Sequence, residues 1–294
     1  MKNAILIAGP TASGKSALAL DLAERLGGTI VNADSMQVYA VLDVLTARPR
    51  GEDLARAPHE LYGHIHPATA YSTGNWLRDV ARIALRLSGR PAVFTGGTGL
   101  YFRALAEGLS QMPDIPGDVR EHWRNLLAEQ GPQRLHALLA EKDPEGASVL
   151  RPSDGQRIVR ALEVLDASGR TIRSWQAERG RPLIDRASAR FLVVEPDRAD
   201  LVRRIELRFD RMVEEGVLDE VRAFTSLGLD PSLPATKAIG LRELQAALAG
   251  RMALEEAIAR AKAATRQYAK RQATWFRHQL GPEWRRIGTG ERPF

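Results

Sequence analysis

The chain has no cysteine, which excludes disulfides, thiolate catalysis and thiolate metal sites together. No apolar run approaches the roughly 18–20 residues that span a bilayer, and the opening MKNAILIAGP leads into a strand-and-turn pattern instead of a cleavable leader. A cytoplasmic protein without membrane attachment is therefore expected. Internal repeats and low-complexity runs are missing too. The six histidines show no paired metal-ligand spacing, and His64 and His66, two apart, read as structural. What remains is a 294-residue chain with 44% hydrophobic residues, enough for one large domain or two smaller ones with sizeable cores. The net charge is +6, and residues 251–294 alone hold ten Lys and Arg against four Asp and Glu, the same excess as the whole chain. A basic tail suits a polyanionic partner; a solvated basic helix is the alternative.

Short apolar runs at 4–8, 29–33, 91–95 and 191–194 lack strict alternation and are separated by helical patterns, as strands buried on both faces of a parallel sheet should be. The expected class is α/β, a P-loop-type parallel sheet with helices on both faces. Between Gly108 and Arg190 no comparable strand is evident, and 119–129, 133–139 and 157–165 carry amphipathic helical patterns. The Pro/Gly-punctuated MPDIPGD and RGRPLIDRAS bracket this stretch. Residues 1–108 and 186–294 are thus expected to form the core with a helical C-terminal region, and 109–185 a helical insert. From Arg198 to about Leu280 the pattern is helical, broken at LGLDPSLPAT and at Gly250. The absence of heptads or a large exposed apolar stripe favours a monomer.

The loop GPTASGKS matches G-x-x-x-x-G-K-[ST] at every fixed position, between an apolar strand and a helix. Backbone N–H groups of Gly9, Pro10, Thr11, Ala12, Ser13 and Gly14, proline excepted, can wrap an anion at a helix N-terminus; Lys15 adds a point charge and Ser16 offers a hydroxyl to a divalent metal. The loop specifies polyphosphate, not a nucleoside. A nucleotide hydrolase would normally add a strand ending in a magnesium-holding Asp, yet the strand in PAVFTGGTGLYF ends in glycines and threonines. The second strand does end in a carboxylate, Asp34, on the sheet edge where ligands bind. An acid there can act as a general base, help to hold magnesium or cap the following turn.

GPTASGKS, DSMQVY, TARP, GGTGLYFRAL, RIVRALEV, PATKAIGLREL and TRQYAKRQATWFR together resemble, in order and over nearly the whole chain, the motifs of the tRNA dimethylallyltransferase (tRNA isopentenyltransferase) family. The resemblance implies transfer of a dimethylallyl group from its pyrophosphate to the exocyclic amine of adenosine 37, beside the anticodon. It further implies that residues 9–16 hold the donor's pyrophosphate, with Mg2+ at Ser16, and that ATP is not required. Lys15, Asp34, Thr98 and Arg208 match the family's catalytic positions. Asp34 is the candidate general base for a poorly nucleophilic aromatic amine, and Arg208, which shares a helical face with Arg204 one turn earlier, is the arginine expected to complete the clamp on the leaving group.

The same resemblance aligns Asp34, Ser35, Met36, Gln37 and Thr98 with residues at the RNA entrance. It aligns Gln156, Arg157 and Arg160 of the insert likewise, with Arg120 a weaker candidate. Lys262, Arg266, Lys270 and Arg277 form a basic stripe on one helix face, and Tyr268, Gln272, Trp275 and Gln279 a neighbouring stripe suited to an anticodon loop. At least one of Tyr268, Trp275 and Phe276 is expected in the core. Lys237 and Arg242 are expected on the same RNA-facing surface. The chain departs from the family pattern at Ala40, where an Arg is usual, at Leu45, where a glycine is usual, and at Leu241, where a tyrosine is common. Competing readings are an ATP-dependent small-molecule phosphotransferase, a prenyltransferase of free adenine nucleotides and a non-catalytic RNA-binding module; none of them uses the loop and the basic C-terminal helix together.

Overall fold

The computed structural model describes residues 1–87, 89–178 and 180–293. Six strands, β1 (Ile5–Ala8), β2 (Thr29–Asn32), β3 (His59–Glu60), β4 (Ala92–Gly96), β5 (Arg190–Val194) and β6 (Arg285–Ile287), pair in parallel in the order β3-β2-β4-β1-β5-β6. The four apolar runs are the four central strands. β3 and β6 are edge strands of two and three residues, too short and too polar to leave an apolar run. The helices are α1 (Lys15–Leu26), α2 (Glu52–Arg56), α3 (Thr73–Arg86), α4 (Gly99–Glu107), α5 (Gly117–Lys142), α6 (Pro144–Ser148), α7 (Gly155–Ser168), α8 (Ile172–Ala177), α9 (Arg198–Glu214), α10 (Val217–Ser226), α11 (Leu241–Leu248) and α12 (Leu254–Gln279).

The chain divides into two compact units, Met1–Ala106 with Leu183–Phe294, and Glu107–Pro182. In the first, successive strand residues point to opposite faces. Ile5, Ile7, Ile30, Val93, Leu192 and Val194 pack with Ala19, Leu20, Leu22 and Ala23 of α1. Leu6, Ala8, Val31, Phe94, Phe191 and Val193 join the larger core, which includes Trp76 of α3, Phe102 of α4, Phe209 of α9 and Phe276 of α12. Being buried on both faces is why these strands read as unbroken apolar runs. Because all are parallel and in register (Ala8 opposite Gly96, Asn32 opposite Thr95), the turns after β1, β2 and β4 emerge on one edge. The long C-terminal helical stretch has one break the sequence pattern did not disclose, at Gly216 (φ 88°), between α9 and α10.

The second unit packs Trp123, Leu135 and Leu139 of α5 against Ile158 and Leu162 of α7. α5 is broken at Gly131 (φ 74°, ψ 168°), where the sequence separates two helical patterns. Among the described residues no helix is long and apolar enough to cross a membrane.

Candidate active site

Residues 9–16 turn sharply between β1 and α1. Gly14 is the N-cap at φ 92°, a backbone conformation that disfavours any side chain, and Ala12 also lies at positive φ (62°). No side chain caps α1, and its first turn has no acidic residue, so its first N–H groups and the positive end of its dipole are left for an anion. Lys15 Nζ donates to the Pro10 carbonyl at 3.1 Å. Burial lowers the Lys15 pKa to about 8, with Asp34 pulling it up and Arg208 pushing it down. The Arg208 guanidinium is likewise lowered, by burial first and against the opposing pull of Asp34. Lys15, Asp34 and Arg208 thus form one electrostatic cluster drawn from α1, the turn after β2, and α9.

The turn after β2 is built around buried Asn32, whose Oδ1 accepts from Asp34 N (2.8 Å) and whose Nδ2 donates to the carbonyls of Asp34 (2.9 Å) and Leu61 (3.0 Å). Asp34 Oδ1 accepts from Met36 N at 2.9 Å, so this carboxylate also shapes its own turn. Thr98 Oγ1 accepts from Ser35 N (2.9 Å) and donates to Ser35 Oγ (3.2 Å). The two turns touch at Gly96, where a Cβ would collide with the Ala33 carbonyl. Gln37 Nε2 donates to the carbonyls of Thr46 and Ala47, each at 2.9 Å.

A cavity of about 260 Å3 opens beside this cluster, lined by Thr11, Ala12, Asp34, Ser35, Met36, Thr46, Arg208, Lys237, Tyr268 and Arg271, with Leu45, Ile205, Phe209, Met212, Ala238 and Ile239 as its apolar wall. A lining that combines charged groups with aliphatic carbon suits a ligand with an anionic head and a short hydrocarbon tail. Arg208 Nη1 donates to Thr11 Oγ1 and Nη2 to the Thr46 carbonyl, both at 3.3 Å, so α9 is tied to the anion loop and to the segment that carries Leu45.

A second cavity of about 230 Å3 includes Ser16, Gln37, Asp53 and Thr95 in its lining. Ser16 is exposed, while Thr95 Oγ1 is buried without a hydrogen-bond partner. Ser16, Thr95 and Asp53 are side-chain oxygen donors of this lining, which also holds Gln37, Arg48, Arg56, His59 and Tyr62; magnesium, an oxygen-seeking ion that keeps several waters, could use the first three. Among the described residues no group of three or more His, Cys, Asp and Glu could hold a metal. A cation here would therefore lean on ligand oxygens and water.

The remaining sequence candidates fall into three sets. Lys237, Arg242, Lys270 and Arg277 are exposed in the sheet unit. Arg266 pairs with Glu206 (3.0 Å) and Lys262 with Asp210 (2.6 Å), so the basic stripe of α12 is partly neutralised by α9. In the helical unit Arg120 and Gln156 are exposed, Arg157 pairs with Asp154 at 3.2 Å and Arg160 with Glu163 at 3.5 Å.

One sequence expectation is corrected here. Gln272 was placed on an RNA-facing stripe, but it is buried: its Oε1 accepts from Thr11 N and its Nε2 donates to the Gly97 carbonyl, both at 2.9 Å, joining the anion loop to the turn after β4. Trp275 packs on Gly99 and Phe276 lies in the core. The sequence reading missed Asn32, Thr46, Arg271 and Glu220. Glu220 accepts three backbone N–H groups, from Asp43 (2.6 Å), Val44 (2.6 Å) and Leu45 (2.9 Å). Glu220 lies in none of the quoted motifs, and its contacts are to residues far from it in the chain.

Residues 37–279 match the IPP transferase family, and residues 2–61 match isopentenyl transferase. The chain belongs to the IPP transferase family. Among IPP transferase relatives, it is 71% identical to a tRNA dimethylallyltransferase of Mesorhizobium japonicum over 99% of this chain and 91% of that protein. It is 61% identical to one from a Chelativorans species over 97% and 98%. A tRNA isopentenylpyrophosphate transferase from Bacillus halodurans superposes with a TM-score of 0.69 at 31% identity, covering 98% of this chain and 90% of that one. A eukaryotic dimethylallyltransferase acting on tRNA superposes at 0.83 with 26% identity, covering 98% and 74%. The IPP transferase departure at Leu45 is accommodated without strain, since Leu45 is not among the residues at positive φ and its side chain is buried in the cavity wall.

Proposed function

We propose that the chain transfers a dimethylallyl group from dimethylallyl pyrophosphate to the exocyclic amine of adenosine 37 of tRNA, releasing pyrophosphate. The observation that carries this is the cavity itself. Thr11 and Ala12 of the uncapped loop, Arg208, the Asp34 carboxylate and an aliphatic wall line one space, with Lys15 coupled electrostatically to Asp34 and Arg208, a combination that neither a phosphotransferase nor a passive RNA-binding module requires.

The loop N–H groups, Lys15 and Arg208 meet charge that accumulates on the diphosphate as the allylic C–O bond breaks, its electron pair leaving with oxygen. The adenine nitrogen forms the new C–N bond, and its proton passes to the Asp34 carboxylate. The negative charge of Asp34 also favours allylic-cation character in the transition state. Leu45, Phe209 and Met212 would enclose the five-carbon group and exclude water from it. Thr98, already bonded to Ser35, would orient the turn against the entering nucleotide. Ser16, with Thr95 nearby, would hold magnesium, whose contribution when bound is further neutralisation of the leaving group.

The base has to leave its stack to reach this depth, and Ser35, Met36, Gln37, Lys237 and Arg242 are the proposed contacts at the entrance. Lys270 and Arg277 would meet phosphates of the anticodon stem-loop; Gln156, Arg157, Arg160 and Arg120 are the proposed contacts from the helical unit. We further read the protein as a cytoplasmic monomer. Incubation with magnesium, labelled dimethylallyl pyrophosphate and an anticodon stem-loop tests the reading. Label is expected on stem-loops with adenosine at position 37 and not on those with guanosine there; label on AMP in preference to RNA would replace it with the free-nucleotide reading.

A further inference from the structure

We infer that Arg204, in addition to Lys15 and Arg208, binds the diphosphate directly and is a third cationic residue of the reaction. This rests on the proposed reading of the loop as a diphosphate cradle.

Arg204 stands one helical turn before Arg208, on the same face of α9. Its Nη1 lies 3.4 Å from the point a Cβ on Gly14 would occupy, directly against the residue that opens α1. From the other side the Thr289 methyl lies 3.1 Å from the same point, and Thr289 Oγ1 donates to the Ser13 carbonyl at 3.1 Å. Gly14 is therefore flanked by a guanidinium and by the segment after β6.

Three charged pairs involve α9, Arg203 with Asp200, Glu206 with Arg266 and Asp210 with Lys262, while Arg198 and Arg211 are exposed to solvent. Arg208 donates to Thr11 and Thr46. Arg204, by contrast, makes no hydrogen bond or ion pair among the described residues, although it is only partly exposed. A half-covered guanidinium beside the uncapped start of α1 faces the positive end of that helix dipole, an arrangement that is unfavourable unless an anion joins it.

The planar fork of an arginine can engage two oxygens of one phosphate while the loop N–H groups hold another. Its attraction grows as the electron pair of the breaking C–O bond settles on the diphosphate. Arg204 is thus expected to act on donor affinity and on the chemical step, and not on tRNA affinity.

The test titrates inorganic pyrophosphate into the wild-type protein, R204Q and R204K by calorimetry, with inorganic monophosphate as a parallel arm. Steady-state assays then give KM for the donor and kcat. R204Q is expected to weaken pyrophosphate binding about 10–100-fold, the range for a lost charge-assisted hydrogen bond. It should affect monophosphate less, raise the donor KM, lower kcat and leave the tRNA Kd and the melting temperature unchanged. R204K, which keeps the charge and loses the fork, should fall between. Wild-type binding with R204Q within two-fold of it would overturn this inference alone; failure of the wild-type protein to bind pyrophosphate would overturn the reading of the loop and this inference with it.

Discussion

Lys15 faces two demands that pull in opposite directions. Burial favours its neutral form, while the ligand proposed for the loop requires its charge, and the balance brings its pKa from 10.5 down to about 8. The free protein therefore loses this charge as pH rises through about 8. Pyrophosphate affinity of the unliganded enzyme is expected to fall across pH 7–9, as read by titration at fixed ionic strength; a flat profile would remove Lys15 from the cradle. The stability consequence has the opposite sign. Between about 8 and 10.5 the unfolded chain binds more protons at this residue than the folded one, so the Lys15 contribution to stability increases with pH over that window. Asp34 is argued separately from its position. Asp34→Ala should leave tRNA affinity within a few-fold and reduce turnover by roughly 10²–10⁴, the usual loss of a general base. Unchanged single-turnover rates would take the role from it.

At the scale of elements, the cavity depends on a segment without regular structure, residues 40–49, held in shape by side chains from elsewhere. Glu220 on α10 gathers three of its N–H groups, and Arg208 and Gln37 both reach its Thr46 carbonyl. Glu220→Ala leaves three amide donors to find water. It should cost about 2–3 kcal/mol of stability, by urea unfolding, and raise the donor KM because Leu45 and Thr46 lose their support. An unchanged denaturation midpoint would show that the segment holds itself. The sequence made the central strands, the turn at residues 9–16 and the placement of Asp34 after β2 legible, because each is a local pattern: an apolar run, fixed glycine spacing, an acid at a strand end. It could not disclose what α12 packs against. Tyr268, Gln272 and Trp275 share a helical face that suits stacking on bases, and periodicity alone does not distinguish an RNA from a neighbouring turn. The structure gives Gln272 to Thr11 and Gly97, and Trp275 to Gly99. β3 and β6 stayed hidden for a related reason, since two or three residues recruited to a sheet edge need no apolar pattern of their own.

At the scale of the whole molecule, charge is the property that reaches furthest. The excess of positive charge in residues 251–294 survives the pairing of Lys262 and Arg266, and Lys270, Arg271 and Arg277 remain exposed on α12. About five phosphate contacts would give log Kd against log salt a slope near 4 in magnitude. Lys270→Ala with Arg277→Ala should weaken binding of every stem-loop sequence alike and reduce that slope by about 2, while the pyrophosphate titration stays unchanged. A salt-independent tRNA affinity would mean that the basic face of α12 serves another purpose. The family was legible from sequence because its motifs extend over nearly the whole length. The supporting contacts were not, since Glu220 lies outside those motifs and Gln272 inside one, and both act on backbone groups distant in the chain.

The central claim is that residues 9–16 hold a departing diphosphate while Asp34, one strand away, accepts the proton of an extruded purine. A crystal structure of the protein with an unreactive analogue of dimethylallyl pyrophosphate and an anticodon stem-loop measures both halves at once. The account predicts the diphosphate in the loop, the hydrocarbon against Leu45 and Met212, and an Asp34 carboxylate oxygen about 2.6–3.2 Å from the exocyclic nitrogen of adenosine 37. An analogue seated outside the loop, or an Asp34 that still serves only its own turn while the purine lies beyond its reach, would contradict it.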